Sequence, residues 1–67
     1  MKNVIIPDDY DEQIKAVRAK LKLSQEKFGF LIGSSFTSVA RWESRKTTPA
    51  ISAWSKIETL IEEQAAK

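Results

Sequence analysis

"LSQEKFGFLIGSSFTSVARWES", Leu23 to Ser44, holds two short helical patterns on either side of a glycine-bearing turn. Ser24 is a good N-cap, although Lys27 rather than an acid stands at the third position after it. A helix then runs through "QEKFGFLI", with Phe28, Leu31 and Ile32 supplying its buried face. Gly29 falls mid-helix, where it costs up to roughly 1 kcal/mol against alanine. A glycine there marks either a point where another helix backbone comes close or simple tolerance of a weak residue. Gly33 ends the helix, in the place where a left-handed conformation is cheapest. Ser35 then caps a second helix, "FTSVARWE", in which Val39 and Trp42 point inward while Phe36, Thr37, Ala40 and Arg41 fall on other, more exposed faces. Each helix is too short to be stable alone in water, so packing against the rest of the chain must hold them.

Upstream, Tyr10, Ile14, Val17 and Leu21 recur at spacings of four, three and four and make one apolar stripe. That helix starts near "DDYDEQ", where Asp9 with Glu12 three residues on is an Asp-type capping box. Lys15, Arg18, Lys20 and Lys22 fall mainly away from the stripe. Before it, "KNVII" favours extended structure through its β-branched content and the proline that follows. It reads as an arm, an edge strand or a short piece packed on the body. Downstream, "SRKTTP" is a loop and Pro49 pre-sets the first turn of a fourth helix. Ile51, Trp54, Ile57 or Glu58, and Ile61 trace its stripe with Leu60 alongside, until the chain frays at "EQAAK".

Sixty-seven residues make at most one domain with a modest core. There is no cysteine and no histidine. A disulfide framework, a thiolate zinc site and a histidine base are therefore excluded. Asp8, Asp9, Asp11 and Glu12 are explained as cap and first-turn acids that favour the helix dipole. No Gly-rich phosphate loop, nucleophile–base pair or metal-ligand spacing is present, so the expectation is a protein that is not an enzyme and uses no cofactor or metal. No apolar run reaches signal-peptide or membrane-spanning length, and the expected location is the cytoplasm, with no membrane partner. The net charge is only +2, but residues 13–56 hold nine Lys or Arg against two Glu, between acidic ends. Such a middle suits a polyanion. Lys20, Lys22 and Lys27 add to its field without being assigned individual contacts.

Helix, short turn, helix is the arrangement that presents one short helix to the DNA major groove, which is about 12 Å wide. The presented helix must stand proud, with short or directional side chains near its N-terminus and free N–H groups for phosphates. Ser24, Gln25, Ser35, Thr37 and Ser38 meet that description.

The same residues carry a resemblance. "VRAKLKLSQEKFGFLIGSSFTSVARWESRKTTP" resembles the Cro/repressor-type, Xre-like helix-turn-helix of phage repressors and of many bacterial regulators and antitoxins. It covers roughly residues 14–54 and rests on Leu23-Ser24-Gln25, Gly33, Ser35, Ser38-Val39, Arg41-Trp42-Glu43 and Pro49 taken together. The resemblance implies base-reading positions at Phe36, Thr37, Ala40 and Arg41, with Ala40 placed to meet a thymine methyl. It implies phosphate contacts from Gln25, Ser38 and the loop residue Lys46. It also implies a structural pair, Arg18 with Glu43, tying helix 1 to the end of helix 3. Three positions depart from the family pattern. Gly29 stands where alanine is usual, Phe36 where a polar residue is common, and Arg45 where glycine commonly follows helix 3, adding a further phosphate contact to those expected from Ser24 and Ser35. The family's fifth helix is absent, which leaves helix 4 to close the core.

The expected architecture is an all-α, lambda-repressor-like domain of four helices around a central helix-turn-helix. Residues 1–9 form an N-terminal arm and residues 10–66 the DNA-binding domain. The expected function is sequence-specific binding of double-stranded DNA by a homodimer that represses transcription from a palindromic operator. Its dimer surface is sought in "NVII", in exposed apolar positions of the fourth helix, or in both. The alternative implied by the family is an antitoxin that binds a toxin protein as well as its own operator.

Overall fold

Apolar positions three and four apart on separate segments bring Ile14, Phe28, Ile32, Val39, Trp54 and Ile57 into one core, each almost wholly out of solvent. The computed structural model describes residues 5–66. Over them run α1 (Tyr10–Leu21), α2 (Gln25–Leu31), α3 (Phe36–Glu43) and α4 (Ile51–Ala65), with no strand among the described residues. The all-α class and the four helices are those the periodicity predicts. Helix α3 packs on both α2 and α1, and α4 packs on α1. Tyr10 and Val17 of α1 and Trp42 of α3 complete the core, while Leu21, Leu23, Leu60 and Ile61 close its edges.

Local chemistry sets the boundaries. Ser24 Oγ accepts the Lys27 N–H at 3.1 Å and Ser35 Oγ accepts the Ser38 N–H at 3.1 Å, so both short helices are capped by their serines. Gly33 takes φ +73°, the left-handed conformation expected of it. A Cβ on Gly29 would lie 3.0 Å from the backbone carbon and oxygen of Ser35. The close approach at Gly29 is real, and the neighbour is the backbone of the turn entering α3.

Four local expectations are corrected. Asp9 sits at the N-cap of α1 but makes no cap hydrogen bond, because its Oδ1 accepts the Gln13 side-chain amide at 2.9 Å instead. Helix α2 stops at Leu31 with Ile32 as C-cap, and Leu31 is 53% exposed, since the turn at Gly33 rotates Ile32 inward and Leu31 out. Pro49 is buried one residue before the N-cap Ala50, so it shapes the approach to α4 and not its first turn. The buried face of α4 is Ala53, Trp54 and Ile57, which leaves Ile51, one turn from that face's centre, 63% exposed. Residues 1–4 of the expected arm lie outside the described residues. Ile5 is exposed and Ile6 packs against the core.

Candidate nucleic-acid interface

Val39 and Trp42, buried on the inner side of α3, fix the helix so that its other side faces out. Thr37 and Arg41 are exposed there, Phe36 is 53% exposed, and Ser38 and Ala40 are half-buried. The four residues expected to read bases thus share the outer side of one eight-residue helix. Ser35 and Ser38 form a small unit at its start, where the Ser35 hydroxyl donates to Ser38 Oγ at 3.1 Å while accepting the Ser38 amide. At the other end, Ser44 Oγ donates to the carbonyls of Ala40 at 2.9 Å and Arg41 at 3.3 Å, a bond that spacing alone does not announce.

Behind α3 lies a polar anchor. Glu43 is only 7% exposed and accepts from Arg18 Nε at 2.7 Å, Arg18 Nη2 at 2.9 Å and Gln25 Nε2 at 3.1 Å. Arg18 Nη1 also donates to the carbonyl of Leu23 at 3.1 Å. One guanidinium therefore ties α1, the residue before α2 and the end of α3 together. The hydrogen bond to Glu43 raises the Arg18 pKa above its ordinary value, against a smaller opposing effect of burial. Gln25 joins the anchor from the first position of α2, so its amide already has a protein partner and the side chain is half-buried.

Arg45 follows α3 with φ +61°. Its Nη1 donates to Asp11 Oδ1 at 2.8 Å and to the Asp8 carbonyl at 2.9 Å, and the guanidinium lies 5.1 Å from the centre of the Tyr10 ring. The hydrogen bond to Asp11 raises the arginine's pKa. Burial pushes the Asp11 carboxyl up, but the bond from Arg45 and backbone N–H groups outweigh it, leaving the carboxyl below its usual value. Tyr10 itself donates its hydroxyl to the Thr47 carbonyl at 3.3 Å. The loop after α3 is thus fastened to the start of α1, and the Arg45 side chain is turned toward acids. Lys46 stays exposed beside it. Asp8, Tyr10 and Asp11 escape sequence reasoning because their partners lie more than thirty residues away, where no local pattern links them.

Ser24 is exposed, with its hydroxyl oxygen engaged in capping. No cluster of carboxylates able to hold a metal ion gathers among the described residues, and none of their helices is long and apolar enough to cross a membrane. A family model described as helix-turn-helix matches residues 14–64. No curated protein and no solved structure matches the chain.

Proposed function

The chain belongs to the helix-turn-helix family, and we propose that it is a cytoplasmic, sequence-specific DNA-binding regulator that acts as a dimer and represses by occupying a palindromic operator. The observation that carries this reading is the outer side of α3, where Thr37, Ala40 and Arg41 stand together with Phe36 on a helix anchored from behind. Arg41 supplies specificity, because a guanidinium addresses guanine O6 and N7 with a fork worth about 1–3 kcal/mol of discrimination. Ala40 and Phe36 suit thymine methyls. The capped starts of α2 and α3, with Gln25, Ser35, Ser38 and Lys46, set the register on phosphates.

Arg45 holds the loop that carries Lys46, and its engagement with Asp11 favours that positioning role over direct phosphate contact. Thr37 and Arg41 are exposed on the same side of α3 as Phe36, which favours base reading over protein docking as the work of that helix. A module of this size buries about 600–1,000 Å² of its own surface on DNA, so useful affinity calls for two copies on half-sites about 34 Å apart.

The test is binding to random duplex across a salt series, followed by selection of a preferred site. Affinity should fall steeply with salt, with a log–log slope of about −0.9 per phosphate neutralised. Arg41→Ala should lose about tenfold or more on the selected site and much less on random duplex. Undetectable binding at low salt, or equal losses on both duplexes, contradicts the assignment.

A further inference from the structure

Of the three phenylalanines, Phe28 lies in the core, while Phe30 of α2 is 87% exposed and Phe36 of α3 is 53% exposed. Phe36 alone stands on the outer side of α3. Four residues on is Ala40, half-buried, and beside this pair run Thr37 and Arg41, also four apart and both exposed. Residues four apart share a helix face. The outer side of α3 therefore carries two parallel rows, one apolar and one polar, each with its members about 6 Å apart along the axis. We propose that the apolar row reads the C5-methyl groups of pyrimidines, with Phe36 as the main specificity-determining residue. The inference rests on the reading of α3 as the helix that enters the major groove.

That groove offers an apolar side chain one partner. Guanine presents two acceptors, cytosine an amino donor, and adenine an acceptor with a donor, whereas thymine adds a methyl. A phenyl ring cannot donate or accept a hydrogen bond with base edges, so laid over any of the first three it takes a polar group out of water unpaired. Over the methyl it buries apolar surface on both partners. 5-Methylcytosine carries the same group at the same ring carbon. The row thus accepts thymine and 5-methylcytosine and discriminates against uracil and cytosine.

The ring is well placed for this work. Ser35 fixes the start of α3 by accepting the Ser38 N–H at 3.1 Å, and buried Val39 and Trp42 fix its inner side. With two side-chain torsions, Phe36 has little freedom to lose on binding. Arg18 and Arg45 are held by Glu43 and Asp11, so the guanidinium beside the apolar row is that of Arg41. Rows of this length span about two base-pair steps of 3.4 Å, which puts methyl and guanine in one short half-site.

The experiment measures binding of the unaltered chain to its selected duplex, with each half-site thymine replaced in turn by deoxyuridine, which removes only the methyl. Affinity should fall about fourfold at one or two positions, as loss of one buried methyl implies. At one of them Phe36→Gln, which changes an exposed residue and whose fold is checked by circular dichroism, should bind the thymine and uracil duplexes equally. Exchanging that pair for cytosine·guanine should weaken the unaltered chain, and methylating the cytosine at C5 should recover about fourfold. A selected half-site without thymine, uracil tolerated at every position, no recovery on methylation, or a loss that persists in Phe36→Gln overturns the proposal. Salt-dependent binding and a preference lost in Arg41→Ala, with uracil tolerated throughout, remove methyl reading alone. No binding to any duplex removes the DNA reading and the proposal with it.

Discussion

Glu43 is a charged group held out of water, and three donor atoms from Arg18 and Gln25 make that tolerable. The two ends of the pair differ in exposure, with side chains 25% exposed at Arg18 and 6% at Glu43. Removing the arginine strands a buried carboxylate with one amide for company, so Arg18→Ala should cost about 2–4 kcal/mol. Removing the acid leaves an arginine that can turn toward solvent, and Glu43→Ala should cost less, about 1–2 kcal/mol. Urea unfolding of both variants checks the order, and an equal or larger loss at Glu43 would contradict it. This pair was legible from the resemblance, because both residues stand at matching positions. The bond from Gln25 to Glu43 was not, since a glutamine that opens a helix gives no sign in sequence of which partner its amide will choose.

Three helices end in one way. Lys22, Gly33 and Arg45 each follow a C-terminus with positive φ. In each case the next residue's N–H reaches back five positions: Leu23 to Arg18, Ser34 to Gly29, and Lys46 to Arg41. Only the glycine announced this. Lys22 and Arg45 hide it, because an L side chain in that conformation carries roughly 1–2 kcal/mol of strain and propensity argues against it there. Both are cations at helix C-termini, where the dipole favours them. They differ in what else they hold, since Arg45 gains Asp11, the Asp8 carbonyl and the Tyr10 ring while the Lys22 side chain is exposed. Lys22→Gly should therefore raise stability by about 0.5–1 kcal/mol, the relief offset in part by a looser unfolded chain. Arg45→Gly should gain nothing or lose. Thermal melts of the two decide, and equal gains would mean that the Arg45 contacts contribute no stability. Helix periods and caps were thus readable wherever serine, glycine or buried apolar residues marked them. The missing cap bond at Asp9 and the exposed Leu31 were not, because the Gln13 side chain competes for the Asp9 carboxylate and a one-residue rotation turns Leu31 outward.

At the scale of the molecule, the core is built on the inner sides of four helices, and the outer side of α3 is left for a partner. The Cα body measures 29 × 23 × 20 Å. If that long dimension ran along the duplex, two such bodies on half-sites roughly 34 Å apart would come within reach of each other. Nine cations stand against two acids between residues 13 and 56; Arg18 and Arg45 are paired with Glu43 and Asp11, and Arg41 and Lys46 are exposed on the surface of α3 and its loop. Whether that surface meets DNA through α3 is the central claim, and an amide chemical-shift map tests it most directly. A duplex of about 20 base pairs, enough for two half-sites, would be titrated into the isotope-labelled chain at low salt. The account predicts that the largest shifts fall on Gln25, on Ser35 through Arg41, and on Lys46, and that they recede as salt is added. Shifts centred on Phe30 and Leu31 with α3 unmoved, or none at low salt, would contradict it.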